Sequence, residues 1–278
     1  MKLSAVITTR NEEANIANCI ASFDGSRDDV EVIVVDNAST DRTKEIAASL
    51  GAEVLDKGPE RSAQRNLGWR TAAADWVVVL DADMILPRET LDEMLGIAER
   101  KHGDGATGAL AYWIPEVRTG TGIRTKARNF ERSFYDGTAI DALRLFHKSV
   151  LEKTGGYDEN LIAGPEDWEL DIRVLATGAR CEVLAHHLVH NERELSFGRL
   201  MAKKAYYSKS MAAYQAKWKG HPALKRQFGL FYRYLGVFVE NGKWRRLVRH
   251  PVLAAVMYFE RIAVGAVYLA SLFRRRAS

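Results

Sequence analysis

Residues 76–83 read Trp-Val-Val-Val-Leu-Asp-Ala-Asp: five apolar positions, three of them β-branched, run straight into two carboxylates one residue apart. A run that is apolar on both faces suits a parallel strand covered by helices, and open α/β sheets hold their ligands at the carboxyl ends of such strands. Working outward, Leu3–Thr8 and Val30–Val35 are two more runs of this kind. Between them, Glu13–Phe23 carries Ile16, Cys19, Ile20 and Phe23 at the spacing of a helix face. Strand, helix, strand is a βαβ unit. Asp41–Leu50, Ala52–Leu55, Glu60–Ala74 and Trp76–Leu80 repeat the alternation, so residues 1–100 are expected to form a doubly wound nucleotide-binding half. Leu3–Thr8 is not followed by GxGxxG, which argues against a nicotinamide or flavin enzyme.

Residues 88–101 read as a helix, and Ala109–Glu116 and Asp141–His147 as strands. They flank a polar, Gly- and Arg-rich stretch, Val117–Thr138, which is expected to be a mobile loop over an acceptor. A helix from near Glu166 is closed by Gly178, and Cys181–Ala185 is expected to be the last strand. Cys19 and Cys181 stand in unrelated contexts and read as core thiols. The opening MKLSAVITTRNEE has its short apolar run broken by Arg10 and Glu12, so no secretory segment is expected.

The net charge of +4 hides an asymmetry: residues 1–198 hold 23 Lys and Arg against 34 Asp and Glu, whereas residues 199–278 hold 17 against 2. An acidic front suits metal chemistry and a basic tail suits a polyanion. The tail pairs Phe228, Phe231, Tyr234, Leu235 and Phe238 with Lys225, Arg226 and Arg233 at helical spacing. Pro251–Phe273 is then apolar except for Glu260 and Arg261. These two mid-helix charges favour a helix in the plane of an anionic membrane, re-entrant, or packed on a second subunit, over one that spans it. Nucleic acid is not an expected partner, since the tail lacks the pattern of a base-stacking platform.

Asp81 and Asp83 at a strand end can aim at one hard divalent cation and a pyrophosphate, or else cap the helix after Pro87. Asp36 ends the second long strand; it can accept from the N–H groups of a base, or cap the helix that follows. Asp41 suits the capping neighbourhood better, which leaves Asp36 for a ligand.

In order and spacing, ITTRNEE, VVDNASTD, QRNLGW, VLDADM, GGYDENL and GPEDWELDIRV resemble family 2 glycosyltransferases over residues 3–195, in particular bacterial lipopolysaccharide, capsule and exopolysaccharide enzymes. The resemblance implies a GT-A fold: a Rossmann-like, mixed, mostly parallel sheet flanked by helices, over residues 1–198, with 101–198 as the acceptor half. Residues 199–278 would be a basic helical extension. It implies that Thr9, Asn11 and Glu12 line a nucleoside pocket, that Asp36 reads the base, and that Arg65 lies near base or diphosphate. Asp81 and Ala82 would meet the donor sugar or ribose, and Asp83 would bind Mg²⁺ or Mn²⁺. The family's common Pro-Thr-Tyr-Asn loop stands here as Thr8-Thr9-Arg10-Asn11, so Arg10 is expected to touch the diphosphate in its own way. Asp167, with Glu166 beside it, would be the general base of an inverting transfer. Among His186, His187 and His190, His190 is the expected metal ligand. The implied donor is a UDP-sugar and the implied acceptor a lipid-linked or surface glycan, at the cytoplasmic face of the plasma membrane. Two rival readings remain: a polyprenyl-phosphate acceptor, which needs no base, and a noncatalytic binding module.

Overall fold

The structure is a computed structural model, and it describes residues 1–24, 28–100, 108–161, 164–191 and 210–276. The chain runs β1 (Leu3–Thr9), α1 (Ile16–Ala21), β2 (Val30–Asp36), α2 (Thr43–Ser49), β3 (Glu53–Asp56), α3 (Arg61–Thr71) and β4 (Trp76–Asp81). It continues through β5 (Met84–Ile85), α4 (Arg88–Glu99), β6 (Ala111–Trp113), β7 (Glu116–Arg118), α5 (Ile123–Arg132), β8 (Leu143–His147) and α6 (Lys148–Thr154). Next come α7 (Glu166–Ala176), β9 (Cys181–Val183) and β10 (Leu188–His190). The tail holds a helix over 210–217 (α8), α9 (Pro222–Phe228), a π-helical turn (Tyr232–Gly236), α10 (Val237–Val239), α11 (Trp244–Arg249) and α12 (Pro251–Arg276).

Seven strands form one mixed sheet in the order β3-β2-β1-β4-β8-β6-β9, with β3, β2, β1 and β4 parallel and β8 antiparallel to both neighbours. Alternate residues of β1, β2 and β4 feed two cores: Ala5, Ile7, Val34 and Leu80 pack under α1 and α4, while Val6, Ile33, Val35 and Val79 pack under α3, α6 and α7. Continuous apolar runs are therefore what these strands require. α3 lies unusually close to β1, since a Cβ at Gly68 would sit 2.2 Å from Val6 Cγ1. That closeness turns the polar face of α3, Gln64, Arg65 and Asn66, into the interior.

A second, three-stranded sheet, β5-β10-β7, stands at the carboxyl ends of the first. It corrects the expectation that Cys181–Ala185 is the last strand, because β10 follows β9. Val117–Thr138 is not a loop either: it contributes to β7 and α5, and α5 is the surface on which α12 docks. The expected single amphipathic helix over Phe228–Phe238 is broken at Gly229, whose Cβ would meet Lys225 O at 2.1 Å. Phe231 is left exposed and Phe238 is buried against Phe134 and Met257.

Candidate active site

Register sets the floor of the site. β1 pairs Thr8 with Asp81 of β4 and Thr9 with Asp36 of β2, so three strand ends meet at one point. Thr8 Oγ1 donates to Asp81 Oδ1 at 3.0 Å. Above them, the loops after β1 and β2 are tied together: Asn11 N–H donates to Ser39 Oγ, Thr40 N–H to Asn11 Oδ1 and Glu12 N–H to Thr43 Oγ1, each at 2.8 Å. Asn11 (φ 55°) and Ala38 (φ 52°) take the left-handed backbone region, which asparagine tolerates and alanine seldom visits. Strain of this kind collects at ligand-holding loops. Thr9 Oγ1, buried between the two loops, has no partner among the described residues.

Beneath this floor lies Arg65, with none of its side chain exposed. Its Nη1 lies 2.5 Å from Asp167 Oδ1 and 3.5 Å from Glu166 Oε1, while Nη2 lies 3.3 Å from Asp81 Oδ1. The guanidinium also sits 5.1 Å over the Tyr157 ring. Burial opposes its charge, but the surrounding acids, Asp167 first, keep it firmly protonated. Burial would likewise raise Asp81, yet Arg61 and Arg65 hold it well below the usual carboxylate range. Glu166 goes the other way: burial, then the Asp167 charge, pushes its carboxyl up. Its Oε2 has no partner among the described residues. Asp167 keeps 18% of its side chain exposed against 1% for Glu166, so Asp167 is the more accessible acid of the two.

The small sheet delivers the other half. β10 pairs His190 with Met84 of β5, and Asn191 N–H donates to Asp83 O at 2.8 Å, which holds His190 Nε2 3.2 Å from Asp83 Oδ2. His190 Nδ1 lies 3.8 Å from Glu116 Oε2 on β7. Burial works against the imidazolium, but Asp83 and Glu116 outweigh it and lift His190 to about 9. Glu116 in turn receives Arg144 Nε at 3.0 Å and lies 3.5 Å from Arg132 Nε. Close contacts therefore run from Asp167 through Arg65 to Asp81, and from Asp83 through His190 and Glu116 to Arg132.

A model of glycosyl transferase family 2 matches residues 4–155, more than half of the chain. The chain belongs to glycosyl transferase family 2. It is 45% identical over 95 residues to an uncharacterised glycosyltransferase of Rickettsia typhi, a match that covers 34% of this chain and 32% of the relative. It is 33% identical over 165 residues to the low-salt glycan biosynthesis hexosyltransferase Agl6 of Haloferax volcanii, covering 54% of this chain and 39% of that one. These matches span only 32% and 39% of the relatives' own length. Among solved structures, the mannosyltransferase PcManGT of Pyrobaculum calidifontis, in complex with GDP-Man and Mn²⁺, superposes with a TM-score of 0.59 at 20% identity, over 100% of this chain and 81% of that one. TarS 1-349 of S. aureus in complex with UDP-GlcNAc gives a TM-score of 0.58 at 18% identity, over 92% of this chain and 79% of that one. The likeness identifies the sheet as a GT-A fold.

Several residues of this family 2 chain stand differently from what the sequence alone suggests. Asp36 is not a free carboxylate: it is buried, and Ser39 donates to both its oxygens, N–H to Oδ1 at 2.7 Å and Oγ to Oδ2 at 2.5 Å. Asp41 does cap, accepting from Thr43 N–H at 3.0 Å and Glu13 N–H at 3.2 Å. Arg65 lies under the carboxylates of Asp81, Glu166 and Asp167, because α3 is pressed onto β1. Ala82 turns into the core, with only its backbone near the strand ends. Arg10 is exposed at the loop, and His186 pairs with Glu93 on α4, away from Asp83. Glu116 escaped the sequence reading, since it looked like the polar end of one strand.

Proposed function

We propose that this chain moves a sugar from a nucleoside-diphosphate donor, UDP preferred, to a hydroxyl of a lipid-linked or membrane-surface glycan, with inversion at the anomeric carbon. Arg65 carries this reading: one buried guanidinium clasps Asp81 on the donor side and Asp167 on the acceptor side, which fixes base and donor floor relative to each other. The acceptor oxygen attacks the anomeric carbon, its proton passes to Asp167, and the bond to the diphosphate breaks on the opposite face. Holding both partners in line turns a bimolecular step into a positioned one. Thr9, with its unpartnered hydroxyl, and the knotted loops of Asn11, Glu12 and Asp36 form the nucleoside end, and exposed Arg10 reaches the diphosphate.

Asp83 and His190 fit a Mg²⁺ or Mn²⁺ ion. They meet at 3.2 Å with 25% and 15% of their side chains exposed, and among the described residues no group of three or more His, Cys, Asp or Glu is spaced to hold a metal alone. With the His190 proton displaced on binding, two protein donors suit an ion that takes its other ligands from phosphate and water. When bound, such an ion would neutralise charge on the departing diphosphate. PcManGT and TarS are each solved with a nucleotide sugar, and the former with Mn²⁺, which supports the same assignment here. Release of nucleoside diphosphate from a panel of UDP- and GDP-sugars tests the proposal, with lipid-extract acceptors, in Mn²⁺, Mg²⁺ or chelator. Turnover of one donor, abolished by chelation, is expected. Metal-independent turnover, or none with any donor and acceptor, would contradict it.

A further inference from the structure

A helix packed on a globular surface normally turns apolar residues inward and charges to water. α12 follows this rule only in part: Met257 is buried against Phe134 and Phe238, but charges turn inward beside it. Its inward side carries Glu260, which pairs with Arg124 at 2.7 Å and Arg128 at 3.6 Å on α5. Arg261 beside it contacts Glu131 and donates to the Tyr135 hydroxyl at 2.8 Å and to Arg233 O at 2.5 Å. The outward side shows Val252, Ala255, Phe259, Ile262 and Ala263, all exposed, with Phe259 at 73%. Steps of three and four make this one continuous apolar stripe. The turn on whose backbone Arg261 docks exposes Leu235 as well, and the two residues before it, Leu230 and Phe231, are also exposed.

We propose that α12 lies in the plane of an anionic bilayer, with the stripe from Val252 to Ile262 among the acyl chains. This deepens the membrane-surface acceptor reading and rests on it for its purpose, though the lipid contact itself needs no sugar transfer. No helix among the described residues is long and apolar enough to cross a membrane, and the inward pairing of Glu260 and Arg261 removes the two charges that would oppose shallow burial. α11, immediately before the stripe, exposes Trp244 with Arg245, Arg246 and Arg249, an aromatic and cations at the level where headgroups lie. A second copy of this face fits less well. Both acids of the tail are engaged internally, Glu260 as above and Glu240 with the Tyr232 hydroxyl at 2.9 Å, so two copies would set arginines against arginines. Lipid phosphates supply the missing anions.

The test is flotation of the full chain at low salt with phosphatidylglycerol–phosphatidylcholine vesicles and with phosphatidylcholine alone. The protein should float with the anionic vesicles, and Phe259→Asp/Ile262→Asp should lower the floated fraction about tenfold, since both side chains would be at the apolar boundary. Both are exposed, so the variant should keep its melting temperature and its stabilisation by UDP with Mn²⁺. A wild-type chain that stays at the bottom, or a double variant that floats unchanged, overturns the lipid contact. So does a wild type that doubles its mass with concentration and does not float. Nucleotide stabilisation in the same samples reports separately on the transferase reading, which survives if flotation alone fails.

Discussion

The strand-end site and the C-terminal helices place charge in opposite ways. At the site, ionised groups are taken out of water and matched: Arg65, fully buried, faces three carboxylates, and Glu116 faces two arginines and His190. In α12 the charges that look misplaced in the sequence are matched against α5, and Val252, Phe259 and Ile262 are left outside while Met257 is buried. Buried charge of the first kind costs desolvation and adds little net stability, but it fixes geometry, which is what transfer chemistry needs. Outward apolar area of the second kind is costly in water and favourable against lipid. In the proposed function the first region would serve precision and the second adhesion to a bilayer.

The comparison breaks most visibly at Arg65. Arg65→Met should lower unfolding free energy by about 3–5 kcal/mol, because Asp81, Glu166 and Asp167 lose their shared cation in a dry site. Urea unfolding measures it, and a loss below about 1 kcal/mol would mean the acids are solvated. Asp167→Asn should leave nucleotide affinity near wild type while the transfer rate falls roughly 10²-fold or more, about 2.7 kcal/mol of barrier. Single-turnover kinetics separates the two, and an unchanged rate would favour a phosphate acceptor, which needs no base.

Asp136 lies at the seam between the regions. Its Oδ1 has no partner among the described residues, and burial, followed by the Asp141 charge, raises its carboxyl to about 6. The folded value lies above the ordinary 3.8, so its contribution is fully present below that pH and is lost as pH rises through about 6. Asp136→Asn should remove this slope and stabilise the protein at pH 7 by on the order of 2 kcal/mol. Chemical denaturation at several pH values checks it, and a variant less stable than wild type at pH 7 would reverse the sign. Smallest of all should be Glu260→Gln, because Arg124 is 74% exposed and water screens the pair. A loss under about 1 kcal/mol that shrinks further in high salt is expected. A larger, salt-independent loss would mean that α12 is anchored as firmly as the site.

How much of this was legible in the sequence follows from the same contrast. β1, β2 and β4 announced themselves because strands buried on both faces must be apolar throughout, and the carboxylates at their ends were found with them. β5, β7 and β10 have only two or three residues each, too few for any period, so Glu116 stays hidden and His190 is expected beside Asp83 only through the family resemblance. The Arg- and Gly-rich composition around α5 masks its helical signal in the sequence, the spacing of Ile123, Ala127 and Phe130. Arg65 was visible as a residue but not as a clasp, since only the closeness of α3 to β1 at Gly68 turns it inward. The two acidic motifs it joins lie 86 residues apart in the chain, from Asp81 to Asp167, a separation no local pattern spans.

The central claim is that Asp83 and the donor diphosphate share one divalent ion. Thermal unfolding with UDP, with and without Mn²⁺, in the wild type and in Asp83→Ala, measures it directly. With UDP at a hundred times its dissociation constant, the metal-containing wild type should gain about 2.7 kcal/mol. Chelation should remove most of that gain, and Asp83→Ala should respond equally with and without metal. A wild type stabilised by UDP to the same extent in chelator, or an Asp83→Ala variant with full metal dependence, would contradict the account.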